Sequence, residues 1–559
     1  MCGIFFILAR SGHFSEAEME AILDASKTLQ PRGPDAMRIH QVHSGMLMVF
    51  HRLAINDLSS AGMQPFVWNQ HHVMCNGEIY NADTLLQRHP EWQERLGSHS
   101  DCELLPHLID TYGWEAALRE IDGVYALLHL NEQTGTIRFA RDRFGVKPLF
   151  WSQSQQWIMV ASEAKAIDAL LPVDPGMRLF PLVPSSYGEI DPEMFSVMIH
   201  PLPSHGLPSL SSSSRPLPSL PSYESASVHV AKRLEQAIAK RITSDREIGC
   251  LLSGGLDSSL VAAILAKQLR SRGQTLHTFS VGFPDSVDIQ YARVVANHIQ
   301  SEHHELILSY ADALERIPDV IRATETYDTT TVRASTPMFL LCEWISQHFP
   351  HRVIFSGEGS DELFGGYLYF HLAPNPEESY LDRLRLLRQL WMYDVLRADR
   401  CTASNGLEFR EPFLDRDLVD DVLQLPSEWL SPKDGFEKHL LRSCIDADLL
   451  PSSVLWRRKA AFSDAVSSGE KPWYVYIQEY IQKQSCPMPN DFSARTRFVD
   501  EAPTAESRFY RWQFVHHFHE FRPIIPLWLP QWSQVGAEPS ATVLSVWNQN
   551  EHIVNLSST

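Results

Sequence analysis

The sequence predicts two folded units of different class: an α+β layered domain over residues 1–190 and an α/β domain with a parallel sheet over residues 226–530. The first unit carries short β-like runs with few helices between them, a pattern typical of layered α+β domains. The second alternates strand and helix patterns, as parallel sheets covered by helices on both faces do. Between them, residues 191–225 are rich in Pro and Ser, which indicates a linker. We expect residues 531–559 to form a C-terminal tail.

The bulk composition narrows the class of protein. A chain of 559 residues is too long for one core, and its 44% hydrophobic residues suffice for more than one. The net charge of −20 argues against nucleic acid or an anionic membrane as a partner. The eight cysteines show no CxxC spacing, so neither a zinc site nor a disulfide framework is predicted. No apolar run approaches membrane-spanning length, and we expect a cytosolic protein.

The predicted elements follow from short apolar runs bounded by turns. In the first domain, strands are predicted at residues 3–8, 46–50, 72–75, 125–130, 136–140 and 157–161, and helices at 15–28 and 102–112. In the second, strands are predicted at 248–252, 275–282, 305–308 and 352–355, and helices at 225–241, from 258 onward, at 289–299 and near 337–347. The last 170 or so residues are predicted to be mostly helical.

Residues 253–259 form the stretch around which the second domain is organised. They read Ser-Gly-Gly-Leu-Asp-Ser-Ser, between a predicted buried strand and a predicted helix. A helix N-terminus offers unpaired N–H groups and the positive end of a dipole, and glycines let the backbone approach phosphate closely. The hydroxyls add donors, and Asp257 can hold Mg²⁺. Because no Gly-Lys-Ser/Thr ending follows, this is not a Walker loop. It is similar to the pyrophosphate loop of enzymes that cleave ATP between the α and β phosphates; a serine-rich helix cap is the alternative.

The N-terminus offers a second candidate site. If Met1 is removed, Cys2 carries both a thiol and a free α-amine, a nucleophile and a base in one residue. A free α-amine has a pKa of about 7.7–8.0, which suits proton transfer near neutral pH. A cysteine at position 2 does not by itself establish such a site.

Motifs downstream of Cys2 identify the first domain. Together with Cys2 they resemble the glutamine amidotransferase domain of the N-terminal-nucleophile type. The motifs are Arg32-Gly33-Pro34-Asp35, His51-Arg52-Leu53-Ala54-Ile55, Asn76-Gly77-Glu78-Ile79-Tyr80-Asn81, Ser100-Asp101-Cys102-Glu103, the run from Ala140 to Leu149, and Ala161-Ser162-Glu163-Ala164-Lys165.

Motifs of the second half complete the resemblance, which is to glutamine-dependent asparagine synthetases and covers the chain except the linker and the extreme C-terminus. It implies an N-terminal-nucleophile hydrolase sandwich followed by an ATP pyrophosphatase domain with a helical C-terminal part. The motifs are Glu325-Thr326-Tyr327-Asp328, the runs 330–335 and 356–362, Gly406-Leu407-Glu408-Phe409-Arg410, the run 437–442 and the run 456–464.

For glutamine, the resemblance implies a pocket around Cys2. Arg52 can bind the α-carboxylate bidentately, and Asp101 can pair with the α-ammonium. The side chain of Asn76 and the N–H of Gly77 can form an oxyanion hole. The full implied glutamine set is Arg52, Leu53, Ala54, Ile55, Asn56, Asn76, Gly77, Glu78 and Asp101.

For ATP and aspartate, the resemblance implies a second site. Glu358 matches the family's acid needed to form the intermediate, and Lys459 can stabilise phosphate charge. Asp257 and Asp361 are the implied Mg²⁺ ligands. The implied ATP set is Leu251, Ser253, Gly254, Gly255, Asp257, Ser258, Val281, Ser356 and Gly357, and the implied aspartate and phosphate contacts are Thr330 and Arg333.

The implied reaction joins L-aspartate, L-glutamine and ATP, with Mg²⁺, in two steps through β-aspartyl-AMP, and the family suggests a homodimer. A related adenylating, amide-forming enzyme and a catalytically dead, assembly-forming homologue are the alternatives. Three positions depart from the family pattern: Pro31, Glu411 and Ala465. The histidine clusters around His303-His304 and His516-His517 are interpreted as structural or solvated, since neither has HExxH spacing.

Overall fold

The computed structural model describes residues 1–202, 206–208, 222–284, 286–443, 445, 448–467, 471–483, 503–518, 528–533, 538–540 and 544. They form two units of the predicted classes, an antiparallel sandwich and a domain built on a parallel sheet. Within this part of the chain, no helix has the length and apolarity needed to cross a membrane.

The first unit is a four-layered sandwich. Two six-stranded antiparallel sheets, ordered β10-β8-β9-β1-β3-β2 and β12-β11-β7-β6-β5-β4, face each other. The strands are β1 (Gly3–Ala9), β2 (Ala36–His43), β3 (Met46–Arg52), β4 (Phe66–Trp68), β5 (His71–Ile79), β6 (Gly123–Asn131), β7 (Thr136–Arg141), β8 (Phe150–Gln153), β9 (Trp157–Ala161), β10 (Arg178–Pro181), β11 (Ser186–Asp191) and β12 (Ser196–Pro201). The helices are α1 (Glu16–Lys27), α2 (Ala82–Arg88), α3 (Pro90–Gln93), α4 (Leu104–Tyr112), α5 (Trp114–Glu120) and α6 (Ala164–Asp168).

The alternation of side chains along each strand builds the layers. In β1, Phe6 points into the core between the two sheets, whereas Phe5 and Ile7 point outward into a cluster that includes Ile22 of α1. Because successive strand residues face opposite sides, one fully apolar strand serves two cores. This is why the central strands are visible in the sequence as continuous apolar runs.

The second unit carries a five-stranded parallel sheet in the order β15-β14-β13-β16-β17. Its strands are β13 (Ile248–Leu251), β14 (His277–Gly282), β15 (Glu302–Ile307), β16 (Val353–Phe355) and β17 (Glu408–Arg410). Its helices are α7 (Tyr223–Lys240), α8 (Leu256–Arg270), α9 (Val287–Ile299), α10 (Tyr310–Glu315), α11 (Ile317–Thr324), α12 (Thr329–His348), α13 (Ser360–Phe364), α14 (Pro376–Gln389), α15 (Asp394–Ala403), α16 (Arg416–Leu423), α17 (His439–Ser443), α18 (Ser452–Leu455), α19 (Phe462–Ala465), α20 (Trp473–Lys483) and α21 (Ala505–His517).

Helices cover both faces of this sheet. Val353 and Phe355 pack with α7, α8 and α9, whereas Ile354 between them packs with α11, α12 and α15. The chain moves outward from β13 to β14 and β15, then returns to β16 on the other side. The carboxyl ends of β13 and β16 therefore flank a topological switch point, where open α/β sheets bind ligands.

Helix α12 begins earlier than the sequence predicts. A helix was expected only near residues 337–347, but Asp328 caps the helix by accepting the Thr331 N–H at 2.8 Å. Pro337 lies inside the helix, where it cannot donate to the Arg333 carbonyl four residues earlier. The indole N–H of Trp473 donates to that carbonyl at 3.2 Å, so the missing helical bond is replaced.

The linker prediction needs correction at both ends. Residues 196–201, expected in the linker, form β12 at the edge of the sandwich, and Ser222 already caps α7. Leu207 packs against the α7–α8 core, and the Pro208 carbonyl accepts a hydrogen bond from Arg388. Residues 203–205 and 209–221 lie outside the described residues. Of the predicted tail, 531–533, 538–540 and 544 are described and pack against the second unit.

Candidate active sites

Two strands from opposite sheets bring the glutamine-site residues together. Gly3 pairs with His51, which places Cys2 beside the end of β3 and the loop that follows it. The backbone N–H of Cys2 donates to Asn76 Oδ1 on β5 at 2.9 Å, and its Sγ lies 3.7 Å from the Leu53 carbonyl oxygen. Cys2 therefore lies at one end of the sandwich, between the two sheets.

The thiol of Cys2 requires a base. Burial raises its pKa to about 11, so it stays protonated at neutral pH. In the structure Met1 precedes it, and the Met1 α-amine lies 3.8 Å from Glu408 in the second unit. The amide Nδ2 of Asn76 is buried and donates to no described residue. This unpaired donor, beside the thiol, suits a developing oxyanion.

Two carboxylates, the buried Glu78 and the half-buried Asp101, lie on the same side of the site. Asn56 Nδ2 bridges them, donating to Glu78 Oε2 at 2.8 Å and to Asp101 Oδ1 at 3.2 Å. Burial raises the pKa of Asp101, and burial together with the Asp101 charge raises the pKa of Glu78. A ligand cation between them offsets this repulsion, which suits an α-ammonium group.

Arg52 is fixed by its own loop. Its guanidinium donates to the Ser59 carbonyl at 2.5 Å and to the Asp57 carbonyl. The predicted pocket residues Ala54 and Ile55 are also buried; the Ala54 N–H donates to Asp35 at 2.8 Å, and the Ile55 carbonyl accepts from Asp245. The whole predicted glutamine set thus lies on β5, at the end of β3 and in the loop that follows it, and just before α4.

A cavity at the switch point of the parallel sheet holds the second predicted site. Its walls come from the loop after β13, the end of β14, the loop after β16, α12 and the residues around Lys459. Of the predicted residues, those that line it are Leu251, Ser253, Gly255, Asp257, Ser258, Val281, Thr330, Arg333, Ser356, Gly357, Glu358, Asp361 and Lys459.

Gly254 does not line the cavity. Its φ is +70°, and a Cβ there would lie 2.4 Å from the backbone nitrogen of Ala292 in α9. Its carbonyl accepts a hydrogen bond from Arg457 at 2.9 Å. Gly254 therefore lets the loop pack closely against α9, on the side away from the cavity, while Gly255 faces the cavity.

Lysines hold the two predicted Mg²⁺ ligands together. Lys438 Nζ lies 2.6 Å from a carboxylate oxygen of Asp257 and 2.6 Å from one of Asp361. Lys459 Nζ lies 2.5 Å from the other Asp361 oxygen. Burial alone would raise the pKa of Asp361, but the two lysines hold it well below its usual range. Both carboxylates converge on one cation, the Lys438 ammonium, and their oxygens are a donor set that fits Mg²⁺. The sequence interpretation missed Lys438, although it lies within a quoted motif.

The carboxyl group of Glu358 has a pKa near neutral pH. Burial raises its pKa to about 7, opposed by Arg397, whose Nη2 donates to Glu358 Oε2 at 2.9 Å. Arg397 also binds Asp394 at 2.6 Å. Neither residue lies in a motif used for prediction, so nothing in the sequence pointed to them. A carboxyl with this pKa can accept a proton at neutral pH.

The predicted contacts Thr330 and Arg333 differ in their surroundings. The Thr330 hydroxyl is buried and bonds to no described residue, so it is available to a ligand. Arg333 is bound by Glu506 at 2.6 and 2.7 Å and by Glu538 at 2.6 and 3.1 Å. A substrate role for Arg333 therefore requires competition with two carboxylates from the C-terminal part of the chain.

Comparisons with known proteins identify the family of this chain. A model described as a glutamine amidotransferase domain matches residues 1–183, and one described as asparagine synthase matches residues 229–393 and 373–513. The chain is 39% identical to the asparagine synthetase [glutamine-hydrolyzing] of Bos taurus over 570 residues, covering 98% of this chain and 99% of that protein. The proteins of the same name from Rattus norvegicus and Homo sapiens are also 39% identical, over 571 and 573 residues, with the same coverage. This chain therefore belongs to the family of glutamine-hydrolysing asparagine synthetases.

Proposed function

We propose that this protein makes L-asparagine from L-aspartate, using ATP and ammonia released from L-glutamine, and forms AMP, pyrophosphate and L-glutamate. The observation that carries the proposal is that one chain, 39% identical to the bovine relative over 98% of its length, holds both a Cys2 site with an unpaired oxyanion donor and an ATP-type cavity. Small molecules are its partners.

In the first half-reaction, removal of Met1 exposes the α-amine of Cys2. That amine takes the thiol proton, and the thiolate attacks the side-chain amide carbon of glutamine. The side chain of Asn76 and the N–H of Gly77 stabilise the oxyanion. Ammonia leaves, and water hydrolyses the thioester to glutamate. Arg52 binds the α-carboxylate of glutamine, while Asp101 and Glu78 receive its α-ammonium.

In the second half-reaction, the aspartate β-carboxylate attacks the α-phosphate of ATP and releases pyrophosphate. Gly255, Ser253 and Ser258 bind phosphate oxygens at the start of α8, and Lys459 neutralises the developing charge. Ammonia then attacks the β-aspartyl carbon of the resulting β-aspartyl-AMP, and AMP leaves. Glu358 takes a proton from the attacking nitrogen, consistent with its pKa of about 7.

Mg²⁺ bound by Asp257 and Asp361 would offset the charge of the leaving pyrophosphate. Lys438 bridges these two carboxylates in the structure. We therefore propose that, when Mg-ATP binds, Lys438 either moves away from them or binds them together with Mg²⁺. Ammonia must travel between the sites unprotonated, and a closed passage serves this need. Strand β17 brings the second unit into contact with the glutamine site, since Arg410 lies 3.4 Å from Glu78. We also propose that the protein is a homodimer in the cytosol.

The test supplies glutamine labelled in its amide nitrogen together with aspartate, ATP and Mg²⁺. We expect labelled asparagine, AMP and pyrophosphate in equal amounts, measured by mass spectrometry and chromatography. AMP release dependent on a different carboxylic acid would instead support another adenylating amide-forming enzyme. Absence of both AMP and glutamate from folded protein would contradict the proposal and favour a catalytically dead homologue.

A further inference from the structure

Two histidines and a glutamate meet at the edge of the parallel sheet farthest from the ATP cavity. In the β14–β15 pair, His277 lies opposite Glu302, and Phe279 lies opposite His304. Because residues two apart on a strand share a face, Glu302 and His304 lie on the same face of β15, beside His277. All three residues stand at or near the amino ends of their strands, whereas the phosphate loop follows the carboxyl end of β13.

Their side chains have the spacing of metal ligands. His277 Nδ1 lies 3.1 Å from His304 Nε2, and His304 Nε2 lies 3.6 Å from Glu302 Oε1. One ligand atom from each residue falls within 4.8 Å of the others. In a tetrahedral zinc site with Zn–N bonds of about 2.0–2.1 Å, ligand atoms are separated by roughly 3.3 Å. Small rotations of the exposed Glu302 side chain bring the third ligand into range.

The surroundings hold both imidazoles in fixed orientations. Phe279 and Phe349 pack on His304 with ring centroids 5.2 and 4.5 Å away, and His351 packs on His277 at 4.4 Å. An ordered ring loses less side-chain entropy when it binds a metal ion.

We propose that His277, Glu302 and His304 form a binding site for a transition-metal dication, with Zn²⁺ as the best-fitting ion and water in the fourth position. Two imidazoles and one carboxylate are typical zinc ligands and also accept Ni²⁺ or Co²⁺. The side chains of His277 and His304 are 25% and 18% exposed, and that of Glu302 is 59% exposed, so an ion enters from solvent. The bound ion would tie the edge strand β15 to β14.

His303 provides a matched control on the same strand. It faces the opposite side of β15, where its ring nitrogens lie 2.9 Å from the Thr278 hydroxyl and 3.2 Å from the Ser280 hydroxyl. His303→Ala removes one imidazole from the same local sequence without touching the proposed site. Glu302→Gln is a second, milder variant at an exposed position, which should fold even if a histidine substitution does not.

The experiment titrates the full-length protein with ZnCl₂ by calorimetry after chelator treatment, and repeats it with Co²⁺ to record the visible absorption of tetrahedral cobalt. We expect one ion bound per chain, a rise in melting temperature with Zn²⁺, and at least roughly tenfold weaker binding in Glu302→Gln and in the His277→Ala/His304→Ala double variant. His303→Ala should bind as the wild type does. Equal binding by wild type and double variant, or no tetrahedral cobalt spectrum in the wild type, would overturn the proposal and leave a histidine–histidine hydrogen bond as the role of the cluster.

Discussion

At the scale of single residues, burial sets the chemistry of this protein. The thiol of Cys2, with a pKa raised to about 11, cannot act without a base, and the carboxyl of Glu358, with a pKa raised to about 7, can act as one. In both groups burial disfavours the anion: it keeps the Cys2 thiol protonated at neutral pH, and it makes the Glu358 carboxylate a stronger base whose pKa lies near neutral pH.

Cys2→Ala should separate the two half-reactions. Without the thiol no thioester with glutamine can form, so we expect glutamine hydrolysis to fall by about 10³-fold or more. Added ammonium salt at alkaline pH should restore asparagine formation, because the ATP cavity is intact and more of the added nitrogen is neutral ammonia. The measurements are glutamate and asparagine released per minute. Retained glutamine-dependent synthesis would move the nucleophile elsewhere, and loss of the ammonia-dependent reaction in folded protein would mean the sites are not separable.

Glu411, one of the departures from the family pattern, is fully buried and neither of its carboxylate oxygens bonds to a described residue. Burial raises its pKa to about 7, opposed by Lys147 and Arg241 and reinforced by Asp142 and Glu408. Since the folded protein holds this proton more tightly than the unfolded chain, the group makes stability fall as pH rises from about 4.5 to about 7.

Glu411→Gln should remove this pH dependence. Relative to wild type, the variant should gain stability as pH rises through that window, by at most about 3 kcal/mol. Melting temperatures from pH 5 to 8, by scanning fluorimetry, measure the difference, with the exposed Glu428→Gln as the control. A constant offset between Glu411→Gln and wild type at every pH would show that Glu411 does not titrate with a raised pKa.

At the scale of elements, the sequence predicted the interiors of the sheets better than their edges. In the sandwich the predicted strands all lie inside the sheets, namely β1, β3, β5, β6, β7 and β9. The four edge strands β2, β4, β10 and β12 were missed, and so were the inner strands β8 and β11. An edge strand is exposed on one side and carries polar residues, as the run Ala36–His43 does, so no apolar pattern marks it. The first turns of α12 were missed, and the bond that replaces the one lost at Pro337 comes from Trp473, far away in sequence.

The candidate sites were likewise predictable only where the sequence carries a local pattern. Residues such as Asp257 and Glu358 lie in short motifs whose chemistry can be interpreted directly. Arg397 and Lys438 act through distant partners, and a contact across 39 or 181 residues leaves no local pattern. The ion pairs of Arg333 with Glu506 and Glu538 could not be predicted for the same reason.

Gly357→Ala tests the contact between the two loops of the ATP cavity. A Cβ at Gly357 would lie 2.8 Å from the backbone carbon and from the Cβ of Asp257, so the phosphate loop must shift. We expect AMP formation with ammonium salt to fall by about 10²-fold, because displacements near 1 Å cost that much. Glutamine hydrolysis should persist. Gly176→Ala, where the nearest atom is 3.4 Å away, is the control. Unchanged AMP formation in Gly357→Ala would show that the loops are not held by this contact.

At the scale of the whole molecule, buried ion pairs join the two units. Arg32, on the sandwich side, binds Glu163 at 2.6 Å and Asp399 of α15 at 2.8 Å, and its Nε donates to the Cys2 carbonyl at 3.0 Å. Two residues earlier on α15, Arg397 binds Glu358. Helix α15 thus binds Glu358 of the second site directly and is linked to the backbone of Cys2 through Arg32. The motif around Arg32 was recognised in the sequence, but its role between the domains was not.

Asp399→Asn should weaken this connection while preserving the size of the side chain. Arg32 would keep Glu163 but lose a charged partner in a fully buried site, and removing one member of a buried pair costs about 3–5 kcal/mol. We therefore expect a lower melting temperature and, because the units no longer hold Cys2 and α15 in register, more glutamate formed per asparagine. Arg293→Gln, which breaks the exposed pair with Glu305, should change stability by less than about 1 kcal/mol and leave the ratio unchanged. If Asp399→Asn matches wild type in both the melting temperature and the glutamate-to-asparagine ratio, the two units are held together by their shared apolar cluster and not by this network.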